Sequence, residues 1–112
     1  MKSMASNLFR IHLTNRKEKV RDVLRENEHA LSMEIVYKIC EAIDKDQLFV
    51  DIAQIVTPME IITIHSTSPN YLATLQTNLE TLIKYEEYEL CAIAKTHIDY
   101  LKEIKDPKYL ED

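Results

Sequence analysis

YLATLQTNLETLIKYEEYELCAIAKTHIDYLKEI, running from Tyr71 to Ile104, is a stretch without proline or glycine. Two apolar stripes pass through it: Leu72, Leu75, Leu79, Leu82, and then Leu90, Ala94, His97, Leu101, Ile104. Steps of three or four residues line up one side of an α-helix. The stripes fall out of phase across Lys84-Tyr85-Glu86-Glu87-Tyr88-Glu89. The stretch is therefore one long helix whose buried face rotates, or two helices meeting at a corner. With no Gly, Pro or Asn at the join, continuity is favoured. Ser68-Pro69 opens the segment as a cap followed by proline, and Asp106-Pro107 closes it, which makes 107–112 a frayed tail.

Working outward, the chain upstream also shows helical spacing. Ile35, Val36, Ile39, Ala42 and Ile43 predict an amphipathic helix from about Met33 to Asp44 with Ser32 as its cap. Glu34 with Lys38 and Glu41 with Lys45 form acid-first i,i+4 pairs on its polar side. Asn15 followed by Glu18 is a capping-box pattern that predicts an earlier helix, fading near Asn27 to Ala30. Residues 1–13 form an arm of undecided structure.

The segment from Gln47 to Leu79 carries only Asp51 and Glu60 as charged residues, which places it at the centre of the fold. Leu48, Phe49, Ile52, Ile55 and Val56 fit a helix by spacing, whereas Ile61-Ile62-Thr63-Ile64 fits a strand by propensity. Thr57-Pro58-Met59-Glu60 has a cap residue, a proline and a glutamate in the order a helix start uses. The same turn, lacking glycine, is a poor hairpin connection. Helix is favoured, with a short β-hairpin within 48–65 as the alternative. The expectation is an all-α fold: one domain over 1–112, a bundle of about five helices ending in a long helix or helical hairpin.

The 112 residues contain no glycine at all, which excludes Walker-type and dinucleotide-binding loops. No apolar run approaches the roughly 18 residues a membrane helix needs, so a cytoplasmic protein is expected. Cys40 and Cys91 lie among apolar helical neighbours and read as two buried thiols in a reducing compartment. The net charge of -5 is uneven. Residues 1–25 hold seven of the 14 basic groups against two acids, a net +5, while the rest holds seven basic groups against 17 acids, a net -10.

No catalytic grouping is readable. His12, His29, His65 and His97 are scattered without metal-ligand spacing, and Ser66, Thr67 and Ser68 beside His65 are explained by turn chemistry. The paired carboxylates Glu86 with Glu87 and Asp99 with Glu103 read as solvated surface. No enzyme activity, cofactor or metal is expected. Three surfaces are candidates instead. Tyr85, Glu86, Glu87, Tyr88 and Glu89 combine aromatic area with acidic steering and suit contact with a partner protein. Leu90, Ala94, His97, Leu101 and Ile104 carry more stripe than one helix in a small domain needs, and suit a homodimer seam. Arg16, Lys17, Lys19, Arg21 and Arg25 could meet phosphates. The leading expectation is a small regulatory or adaptor protein acting through protein–protein contact as a homodimer. The alternative is a DNA-binding regulator, because Ser68-Pro69-Asn70-Tyr71 leading into a leucine stripe loosely resembles helix-turn-helix and winged-helix domains. Against it, Tyr71 to Thr81 contains no Lys or Arg.

Overall fold

Thr57-Pro58-Met59-Glu60 turns the chain back on itself instead of starting a helix. The Thr57 hydroxyl accepts hydrogen bonds from the backbone N–H groups of Met59 (3.2 Å) and Glu60 (2.9 Å), as a helix cap would. It also donates to the Glu60 carbonyl at 2.9 Å, to which the Thr57 backbone N–H donates at the same distance. One hydroxyl thus closes a tight turn without glycine, and two strands leave it antiparallel. The computed structural model describes residues 8–13 and 19–110. Its elements are β1 (Phe9–His12), α1 (Val20–Glu26), α2 (Glu28–Asp44), β2 (Phe49–Val56), β3 (Ile61–Thr67), α3 (Tyr71–Lys84) and α4 (Tyr88–Ile104). Single 3-10 turns occupy Ser68–Asn70 and Pro107–Tyr109.

The all-α expectation is therefore overturned. Among the described residues there are four α-helices and a three-stranded sheet in the order β1-β2-β3. β1 runs parallel to β2, and β3 antiparallel to it. The helical spacing of Phe49, Ile52 and Ile55 has a specific cause. Asp51 pairs with His65 and Ala53 with Ile64, so Ile52 is an extra residue in the ladder, a β-bulge. The bulge turns Ile52 and Ala53 both inward, and strict alternation is lost where it was needed to recognise a strand.

α2 is the element the domain is assembled on, since it touches β2 on one side and both α3 and α4 on the other. Its inward residues Val36, Ile39, Cys40 and Ile43 meet Ile52 and Ala53 of the sheet, Tyr71, Leu75 and Leu82 of α3, and Leu90, Ala94 and Leu101 of α4. A smaller cluster of Ile11, Leu13, Val23 and Ile55 seats α1 on the sheet. Ser32 does not cap α2. It is buried inside the helix and donates to the Asn78 side chain at 2.9 Å, tying α2 to α3. The expected helix start at Met33 lies five residues late, and the Asn15–Glu18 capping box lies outside the described residues.

α3 and α4 are two helices, not one. The Glu86 N–H donates to Ile83 O and the Glu87 N–H to Leu82 O, each at 3.0 Å, with Glu86 in the left-handed region at φ 59°. This is a Schellman ending in which glutamate occupies the position glycine usually takes. α2 ends in the same way: the Gln47 N–H donates to Ala42 O at 2.7 Å and the Asp46 N–H to Ile43 O at 3.1 Å, with Asp46 at φ 56°. The absence of glycine did not forbid such corners; Asp46 and Glu86 carry their conformational cost, as Lys105 does at the end of α4. Nor is the tail frayed as far as Leu110. Tyr109 is buried beside Tyr71 with ring centroids 6.0 Å apart, and its hydroxyl donates to Asp46 at 3.0 Å.

Candidate functional site

Among the described residues, the helices cover one face of the sheet and leave the other open. Pairing fixes which residues share a face. Ala53 sits opposite Phe9 and Ile64, and Ile55 opposite Ile11 and Ile62; this row meets the core. Alternation then sends Arg10 and His12 of β1, Phe49, Asp51, Gln54 and Val56 of β2, and Ile61, Thr63 and His65 of β3 to the outer face. Phe49 is 53% exposed and Ile61 60%, high values for apolar residues in the middle of a fold. The His65 ring stacks on Phe49 with centroids 5.0 Å apart, and Arg10 Nε donates to Gln54 Oε1 at 3.0 Å, holding the guanidinium group along the sheet. Among the described strand residues, Arg10 and Asp51 are the permanent charges of this face. On a chain of net charge -5, it is close to neutral.

The surfaces expected from sequence are distributed differently. In the corner segment, Tyr85 stacks on His29 at 4.3 Å with the rings 3° from parallel, and its hydroxyl donates to Glu28 at 2.8 Å. Glu87 meets His29 Nε2 at 2.6 Å, and Lys84 binds Glu28 at 2.7 Å. The Lys84 and Tyr85 bonds hold the Glu28 carboxyl below its ordinary value. Tyr85 and Glu87 are thus occupied in pinning the corner to the start of α2, and Glu86 in making the turn. Tyr88 and Glu89 remain exposed.

The proposed dimer seam is turned inward. Leu90, Ala94 and Leu101 are buried against α2 and α3 of the same chain, and Ile104 packs at the edge of that core. His97 reaches Asp44 with Nε2 at 2.8 Å, while its Nδ1 faces the Ile93 carbonyl at 2.8 Å. The surplus apolar stripe does not exist, because α2 covers it. Of the cations, Lys19, Arg21 and Arg25 are exposed around α1; Arg16 and Lys17 lie outside the described residues.

His97 and the two cysteines are held within the fold. Each ring nitrogen of His97 already faces an oxygen of its own chain, Ile93 O and Asp44 Oδ1. Burial pushes the Cys40 thiol up to about 12, helped by Asp44, and burial also raises Cys91. Neither thiol forms a thiolate near neutrality. A groove of about 350 Å³ lies over Ile43, Asp44, Thr96, His97 and Tyr100, open to solvent. Among the described residues no three His, Cys, Asp or Glu side chains converge as a metal site would require.

Phe49, Ile61, His65 and Arg10 were not singled out from sequence. A signal was present: in Ile61 to Thr67, Ile62 and Ile64 alternate with Thr63, His65 and Thr67, a period of two. The capping pattern at Thr57 concealed it. Among the described residues, what emerges is a mixed three-stranded sheet backed by helices on one face, with the opposite face bare. No protein-family model, curated protein or solved structure matches the chain.

Proposed function

We propose that this chain is a small non-enzymatic adaptor or regulatory protein that works through protein–protein contact made by the open side of its sheet. The observation that carries the proposal is the exposure of Phe49 and Ile61 toward opposite ends of the β2–β3 hairpin, with His65 stacked on Phe49, on a sheet face that none of the described helices covers. Covering such residues releases water from apolar surface, worth about 25 cal/mol per Å² before the costs of association. The near-neutral character of the face suits a protein partner better than a polyphosphate, whose affinity depends on many cations. Among the described residues no helix is long and apolar enough to cross a membrane. We place the protein in the cytoplasm, a location that suits two unpaired cysteines.

Duplex DNA is the second reading, supported by the exposure of Arg21 and Arg25 on α1 and of Lys19 just before it. That helix has seven residues, enough for few phosphate contacts.

A photo-crosslinking amino acid placed at Phe49 or Ile61, and for contrast at Ile93 or Tyr100 on the exposed side of α4, tests the proposal in cells. Crosslinks to protein are expected from the sheet positions. Capture only from the α4 positions would move the function to the other side of the molecule. Salt-sensitive duplex binding lost on neutralising Arg21 and Arg25 would favour the DNA reading.

A further inference from the structure

The hydrogen-bond pattern of β3 fixes which of its backbone groups face β2 and which face its outer edge. At one end of the strand the Ser68 N–H donates to Leu48 O at 2.8 Å; at the other, Glu60 O accepts from the Thr57 N–H at 2.9 Å. Both even-numbered residues therefore turn their backbone groups toward β2. N–H and C=O of one residue point to the same side of a strand, and the side alternates. Ile62, Ile64 and Ser66 then also face β2, and Ile61, Thr63, His65 and Thr67 aim their N–H and C=O groups away from it. β3 is the last strand of the sheet, so those groups lie on its outer edge.

The devices that normally guard such an edge are missing from it. Ile61-Ile62-Thr63-Ile64-His65-Ser66-Thr67 has no Lys, Arg, Asp, Glu or Pro, and the bulge bends β2 instead. Pro58 and Pro69 stand just outside its two ends. The other edge, β1, is four residues long and carries Arg10.

We propose that two copies of this chain join through antiparallel pairing of their β3 strands about a two-fold axis at Ile64, forming one continuous six-stranded sheet. The axis at Ile64 sets Ile61 opposite Thr67 of the second copy and Thr63 opposite its His65. All four are residues whose backbone groups point outward, so every such pair falls in the hydrogen-bonded position. An axis between two residues would set odd opposite even and waste half the groups. Four pairs exchanging two bonds each give about eight interchain hydrogen bonds. A two-fold contact needs a surface complementary to itself, and a neutral edge meets that demand on an acidic protein without bringing like charges together. The inference rests on the sheet side being the interacting side, and names the partner there as this same chain. The joined sheet would double the bare face.

Sedimentation of the full chain between about 1 and 100 µM tests it, with Thr63→Pro as the variant. The Thr63 N–H points outward, so proline there leaves the β2–β3 ladder intact while blocking the edge. A dimer that dissociates on dilution is expected for the wild type, and a folded monomer for Thr63→Pro. A wild type that stays monomeric at 100 µM, or a folded Thr63→Pro that stays dimeric, overturns the proposal. If Thr63→Pro fails to fold, a Thr63→Cys chain mixed with a His65→Cys chain under oxidation decides. The paired Cα atoms would lie about 5.5 Å apart, within disulfide reach. A crosslinked product from the mixture exceeding that of either chain alone supports the register; its absence refutes it. A monomer whose Phe49 and Ile61 probes still capture another protein defeats this inference and leaves the proposed function standing. A dimer whose probes capture only its own second copy does the reverse.

Discussion

Replacing Leu101 by alanine tests whether the carboxyl-terminal stripe serves the interior of its own chain. Leu101 is 3% exposed and belongs to the main core with Leu90, Ala94 and Ile98 of the same helix. Truncating a leucine so enclosed costs about 2–5 kcal/mol, the transfer of the lost carbons plus the cavity they leave. Against a total stability of about 5–15 kcal/mol, that is a large fraction. At about 4 °C per kcal/mol for a domain of this size, the melting temperature should fall by about 8–20 °C. The assay is urea denaturation of wild type, Leu101→Ala and the neighbouring Tyr100→Ala at two protein concentrations a hundredfold apart. Tyr100 is 47% exposed, so its truncation should change stability by about 0.5 kcal/mol. The distinguishing quantity is the gap between Leu101→Ala and wild type. If Leu101 packs inside its own chain, the gap is the same at both concentrations, even if both proteins dimerise elsewhere. A gap below about 1 kcal/mol, or one that widens as the protein is concentrated, would falsify the internal packing and restore the seam between copies.

Glu86→Gly should stabilise the protein by about 1 kcal/mol in the same assay. It relieves the left-handed backbone of a non-glycine residue, and Glu86 is exposed; a loss of stability would show that its side chain contributes something unseen. Thr57→Val should cost about 1–2 kcal/mol, because three hydrogen bonds through one hydroxyl disappear from the hairpin turn; an unchanged urea midpoint would contradict that role. Cys40 and Cys91 should resist alkylation near pH 8 in the native state and react at the rate of unfolding, whereas rapid labelling without denaturant would place a thiol on the surface. Stability should decline as pH rises above about 10, the ordinary tyrosine value. Burial raises both Tyr71 and Tyr109, the latter to about 12, so the unfolded chain releases these protons first. The contribution is fully present below pH 10 and is lost as pH climbs through the folded values. A melting temperature flat between pH 9 and 11 would be incompatible with those burials.

How much of this was legible beforehand depended on whether a signal was local. Helix type could be read wherever one face repeated every three or four residues, as in α2, α3 and α4, since that periodicity needs no knowledge of the partner. The boundaries failed where a tertiary contact took over a capping residue. Ser32 has the chemistry of a cap but spends its hydroxyl on Asn78, 46 positions away in the chain. The sheet was missed because its central strand carries a bulge, and a bulge exchanges a period of two for a spacing that imitates a helix. The inner row of β3 could have been found from Ile62 and Ile64 alone.

The candidate site was lost for a related reason. Searching for function among charged and aromatic residues led to Tyr85 and Glu87, whose chemistry is spent on holding α2 to the α3–α4 corner. Searching for association among leucines led to a stripe that α2 encloses. In both cases the chain itself supplies the groups those residues pack against or bond to. Phe49 and Ile61 are the inverse: each looks in sequence like core, and each is left at the surface because the described helices all lie on the other side of the sheet. Surplus apolar surface cannot be diagnosed from one element's stripe. It appears only after every layer has been assigned, and here the unassigned layer is the outer face of the sheet, not the back of the last helix.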